Sequence, residues 1–213
     1  MNTNDLIQSL VDDLQPVPRH AIGQRIAAGM VAGGLVTFLV VALGMGFRPD
    51  LWIAMHGWTF WMKWSYTISL GCCAVLATAE LARPDTQSSR WLWIVVVPVA
   101  VLGLIGASEL AHSPSSRWLT MWLGASWMVC PRNVFLLSLP IFAGVLGALR
   151  KLAPTRLRVA GATAGLTAGA WAATLYCLYC PEVSAIFVLT WYSLGIGLVA
   201  AIGGLLGPRV LRW

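Results

Sequence analysis

Residues 157–206 read LRVAGATAGLTAGAWAATLYCLYCPEVSAIFVLTWYSLGIGLVAAIGGLL. Two long apolar runs, Leu157–Leu178 and Val183–Leu206, are broken once, at Tyr176-Cys177-Leu178-Tyr179-Cys180-Pro181-Glu182. Each run matches the roughly 20 residues that an α-helix needs to cross a bilayer. The break places two thiols, a helix-breaking proline and a carboxylate side by side. Two membrane helices joined by a short turn are the simplest reading.

The rest of the chain has the same character. It is 213 residues long, 58% hydrophobic and 10% charged, with mean hydropathy +0.76. Soluble domains carry roughly 25% charged residues, so the class is integral membrane. Further apolar runs cover Ile26–Phe47, Trp61–Leu81, Trp91–Ala111 and Val134–Leu149, the last short unless it borrows residues from Cys130 onward. The fold expected is therefore all-α, a six-transmembrane-helix bundle over residues 26–213 with a short cytoplasmic N-terminal amphipathic helix within residues 1–25. Gly29 and Gly33, and Gly161, Gly165 and Gly169, have the spacing that lets membrane helices approach closely. Pro98 and Pro140 fall inside runs and read as kinks satisfied by neighbouring helices. Between His112 and Arg132, Trp118, Leu119, Trp122, Leu123 and Trp127 form a helical stripe. It reads as an interfacial helix, where tryptophan concentrates, or as an extension of the fourth span.

Basic residues orient the bundle. Arg19, Arg25, Arg83, Arg90, Arg150, Lys151, Arg156, Arg158, Arg209 and Arg212 fall on one side, against Arg48, Lys63, Arg117 and Arg132 on the other. The richer side is cytoplasmic, so both termini are expected there, in a multi-pass membrane protein. The net charge of +6 comes from these loops and needs no direct nucleic-acid partner; membrane lipid surrounds the spans.

The N-terminus is no signal peptide, because Asp5, Asp12 and Asp13 occupy the place of a positive n-region. Leu6, Ile7, Leu10, Val11 and Leu14 recur on one helical face, and Pro16 and Pro18 end the helix. A helix this short needs something to bury that face. Surface-lying membrane helices favour Lys and Arg on the polar side, so Asp points to a protein partner; docking on its own domain is the other reading.

Five cysteines cannot all pair internally. The topology puts Cys130, Cys177 and Cys180 on the outer side with Glu109, His112, Glu182 and His56, where disulfides can form and persist. Cys130-Pro131 and Cys180-Pro181 each precede an apolar run, and proline suits a first helical turn. Both thiols are then expected at helix N-termini, where the dipole raises reactivity. Three readings stay open: a structural disulfide between Cys130 and Cys180, a redox or metal-responsive pair, and a catalytic dithiol at Cys177 and Cys180. No resident cofactor is expected; a thiophilic metal ion, on Cys130 and Cys180 with His112, fits as a signal. Cys72 and Cys73 point to different helix faces and read as small packing residues. Glu109 is a costly carboxylate within a span and needs a partner, with His112 the nearest candidate.

A short segment Asp5-Leu6-Ile7…Leu10…Asp13-Leu14…Pro16-Val17, six spans, and a Cys-Pro before the fourth and sixth together resemble the negative regulator of sigma F family of bacterial membrane anti-sigma factors. The resemblance covers nearly the whole chain. It implies that residues 4–18 hold an extracytoplasmic-function sigma factor, that Cys130 and Cys180 sense stress, and that the protein is a regulator rather than an enzyme. It assigns no role to Cys72, Cys73 or Cys177. The competing enzyme reading, a quinone-linked membrane thiol–disulfide oxidoreductase, asks for a second dithiol where only one C-x-x-C is present. A transporter would show inverted repeats and mid-membrane polar residues, against spans that are almost purely apolar.

Overall fold

The computed structural model describes residues 21–82, 93–152 and 154–212. The stretch carrying Leu6, Ile7, Leu10, Val11 and Leu14 lies outside the described residues. Every regular element within them is helical. Helix α1 covers Ala21–Leu39 and runs on through a π-helical segment, Val40–Met45. The short α2 (Leu51–His56) leads into α3 (Trp58–Leu81). Then come α4 (Val96–Ala111), α5 (Trp118–Leu123), α6 (Val129–Arg150) and α7 (Leu157–Tyr176). The last helix, α8, runs Ala185–Val210 with a π-helical segment at Val188–Tyr192.

Helix α7 is the axis of the bundle, packed against α8, α3 and α6, while α6 also carries α1. Its composition explains its position. Most of its length is alanine, glycine and threonine, and most of it is buried. Small residues let partner backbones come close. A Cβ placed on Gly161 would stand 2.1 Å from the Gly203 carbonyl oxygen of α8, and one on Gly165 2.3 Å from that of Val199. The α1–α6 contact is made the same way: a Cβ on Gly29 would meet the Gly144 carbonyl oxygen at 2.4 Å. The glycine spacings in the sequence thus mark two helix–helix seams.

Buried hydroxyls find partners inside the seams. Thr37 Oγ1 donates to the Leu137 carbonyl at 2.8 Å, one turn before Pro140. Thr78 and Thr167 share a hydrogen bond between α3 and α7. The α3 ring of Trp64 donates to the Thr174 carbonyl.

One expectation changes. Among the described residues three helices, not six, are long and apolar enough to cross a membrane: Ile22–Met45, Val129–Arg150 and Ala185–Val210. Helix α3 carries Lys63, Glu80 and a run of hydroxyl side chains, α7 is diluted by glycine and threonine, and α4 has 16 residues. What lowers their apolarity is what they bury against one another. The tryptophan stripe is a helix of its own rather than an extension of α6. It stops at Gly124, whose φ of 56° suits glycine. A Cβ there would also run into the Glu182 carboxylate and Phe187.

Candidate functional site

At one end of the bundle the segment 177–184 closes over the start of α6. Its backbone follows from its residues. Cys180 N–H still donates to the Tyr176 carbonyl at 3.0 Å, so Cys180 finishes the last turn of α7. Pro181 then turns the chain away, and four residues pass before α8 begins after Ser184.

Cys130, in the first turn of α6, and Cys180 meet here. Both are fully buried, and the two thiols are neighbours that interact with one another. Fifty residues of sequence separate them, and the fold brings them into contact as the paired Cys-Pro sites suggest. All five cysteines are free thiols. Cys177 is buried beside the pair, flanked by Thr67 and Tyr192. The buried Tyr192 hydroxyl has no well-formed hydrogen bond, and the Cys177 and Cys180 sulfurs are its neighbours. Cys72 is exposed and Cys73 half-buried, away from this group, so Cys72 is not the packing residue expected.

Lys63 is the residue that sequence reading undervalues. It lies on α3, completely buried. Its ammonium donates to the Cys180 carbonyl at 3.1 Å and to the Glu182 carbonyl. A buried charge needs compensation, and the nearby sulfurs supply it. The Cys130 thiol beside it, and behind it the Lys63 charge, hold the Cys180 thiol below its ordinary range. Arg48 stands behind them, donating its backbone N–H to the Leu178 carbonyl while its side chain holds Asp50. The helix-dipole argument is corrected for Cys180. It sits at the C-terminus of α7, where the dipole disfavours a thiolate, and a partner thiol and a buried cation do the work instead.

Two carboxylates lock the surrounding turns. Glu182 Oε1 accepts from Ala125 N at 2.8 Å, Ser126 N at 3.1 Å and Ser126 Oγ at 2.9 Å, tying the segment after Cys180 to the turn before Cys130. Glu109 Oε2 accepts from Ala185 N at 2.7 Å and from Ser184 Oγ, capping α8. The expected Glu109–His112 pairing is not what the side chains do: His112 Nδ1 faces the Ser108 carbonyl at 2.8 Å. No group of three or more His, Cys, Asp or Glu side chains suited to a metal ion occurs among the described residues, so the thiols and His112 do not converge as a ligand set. A tryptophan cluster roofs the turn, with Trp191 Nε1 donating to the Trp122 carbonyl and its ring 5.3 Å from that of Trp127.

The buried thiols, the buried lysine and the two capping carboxylates together form this end of the bundle. Comparison with known proteins gives that arrangement a context. The family model described as "Negative regulator of sigma F" matches residues 10–213. A probable anti-sigma-F factor from Azospira oryzae is 38% identical over 100% of both chains. The anti-sigma-F factor of Caulobacter vibrioides is also 38% identical, again over 100% of both. No solved structure matches the chain. With its length matched from end to end in this way, the chain belongs to the negative regulator of sigma F family, whose named members are regulators of transcription rather than enzymes.

Proposed function

We propose that the chain is an anti-sigma factor of the bacterial inner membrane with both termini cytoplasmic, α3, α4 and α7 crossing the membrane as well, sheltered by the three long apolar helices. It holds an F-type sigma factor of the extracytoplasmic-function class through Leu6, Ile7, Leu10, Val11 and Leu14, and lets it go when the outer thiols change state. The observation that carries the reading is the buried neighbourhood of Cys130 and Cys180, which joins the start of α6 to the end of α7. Oxidation would replace that contact by a covalent bond, and a thiophilic metal ion would act on the same two sulfurs. Either event moves the ends of stiff helices, and the far end of α6 meets the start of α1. Arg25, at the start of α1, already donates to the Lys151 carbonyl at the end of α6. A coupling of about 1–3 kcal/mol between the two ends is the usual size for such switches.

Capture of the sigma factor tests this. Wild-type chain in detergent should retain the sigma factor and release it on treatment with hydrogen peroxide. The Cys130→Ser/Cys180→Ser variant should retain it under both conditions. Leu6→Glu/Leu10→Glu should fail to retain it while the bundle stays folded. A full peroxide response in the double serine variant overturns the sensing role, and unaltered capture by the double glutamate variant overturns the binding role.

A further inference from the structure

We propose that the groove between α7 and α8, at the end carrying Arg158 and Arg209, binds one anionic phospholipid. Its phosphate lies between the two guanidiniums and an acyl chain lies along the groove. The inference rests on the reading that these helices stand in a membrane.

The groove is about 800 Å³ and is walled by apolar and small side chains, among them Ala162, Leu166, Ala201 and Leu205. It exists because the seam that joins the helices is so tight. Gly161, Gly203 and Gly207 bring the backbones together, and the small residues beside the seam leave a trough on the outer side. From Arg158 to Leu166 the trough runs roughly 12 Å at the helical rise, enough for the first half of an acyl chain.

The charge decides which lipid. Arg158 starts α7 and Arg209 ends α8, so both guanidiniums sit at the same mouth. Neither has a hydrogen-bond or ion-pair partner among the described residues, and no carboxylate lines the groove. Two unpaired guanidiniums over an apolar trough complement a phosphate on a hydrocarbon tail, because the planar fork matches phosphate oxygens. Basic pockets between helices on the cytoplasmic face hold anionic headgroups, and the same arginines face the cytoplasm on the expected topology. A zwitterionic lipid would bring a cation of its own to that mouth.

Native mass spectrometry of the full chain, offered phosphatidylglycerol or phosphatidylcholine of equal acyl length, tests the site. Wild type should keep one phosphatidylglycerol through detergent removal with at least a tenfold preference over phosphatidylcholine. Arg158→Gln/Arg209→Gln should lose the preference. Ala201→Phe, which fills the trough and leaves both arginines, should lose the bound lipid. Equal retention of the two lipids by wild type, an unchanged preference in the glutamine variant, or a lipid-free dimer that occupies the groove with a second copy overturns the proposal. An alkaline carbonate wash of cell membranes reports separately on the membrane reading: a chain that stays in the pellet but shows no lipid preference has lost only the groove.

Discussion

Lys63 shows what a single residue does when its surroundings are known. In the sequence it is one basic residue among aromatics, counted only as one of the four charges of the outer side. In the fold its ammonium is sealed under the Cys180 and Glu182 carbonyls. Removing the charge should change chemistry before it changes shape. In Lys63→Met, the pH at which Cys180 becomes reactive toward iodoacetamide should rise, with the influence of Cys130 still in place, and Lys63→Arg should restore the lower value. The direction follows from charge: a nearby cation favours the thiolate, so its loss favours the thiol. Peptide mass spectrometry across a pH series reads this directly, and an unmoved midpoint would falsify the role given to Lys63. The meeting of Cys130 and Cys180 was legible earlier, because two Cys-Pro pairs at the same depth imply a shared end. Lys63 was not, because nothing local says which carbonyls a lone lysine will reach.

Among elements, the turns around the thiols are held by carboxylates rather than by helix dipoles. Glu182 satisfies three donors in the turn before α6. Glu182→Ala should strand those donors and cost about 1–3 kcal/mol, visible as a lower unfolding temperature. Glu182→Gln keeps an acceptor oxygen and should lose less. The glycine seams give a second prediction. Gly161→Val forces side-chain atoms into the Gly203 carbonyl, and overpacking of this kind costs about 1–3 kcal/mol or more. Gly147, with nothing within 4 Å of its would-be Cβ, should accept alanine with no loss in the same thermal assay. The seams were readable from four-residue glycine spacing. The start of α8 was not: proline after cysteine predicted a helix at Pro181, and the helix waits for Ser184 and the Glu109 cap. A capping partner 76 residues away in sequence leaves no local signature.

For the whole molecule, composition announced a helical membrane-type protein and overstated how much of it looks like lipid-facing helix. Runs such as Trp61–Leu81 and Leu157–Leu178 have the length of a span, yet their helices hide hydroxyls, glycines and a lysine between neighbours. Apolar length cannot separate a helix that faces lipid from one enclosed by other helices. The proposed topology has its own check. Single cysteines introduced at Arg90 and Arg150 in a chain whose native cysteines are serine should be labelled by impermeant maleimide only after the cytoplasmic face is opened, and one at Arg117 before it.

The burial of α7 also bears on how the chain is made. A membrane helix emerging from the ribosome is sorted by its own affinity for lipid, and small side chains gain little because transfer energy follows apolar area. Helix α7 is completed before α8 has been synthesised, and α8 is the partner that covers most of its glycine face. On the membrane-spanning reading, the two are delivered as a hairpin, with α7 waiting for its companion. A chain stopped at Glu182 should therefore be cleared by membrane proteases far faster than the full chain, as a pulse-chase measurement would show. The economy of tight packing in the finished protein becomes a dependence on translation running to its end.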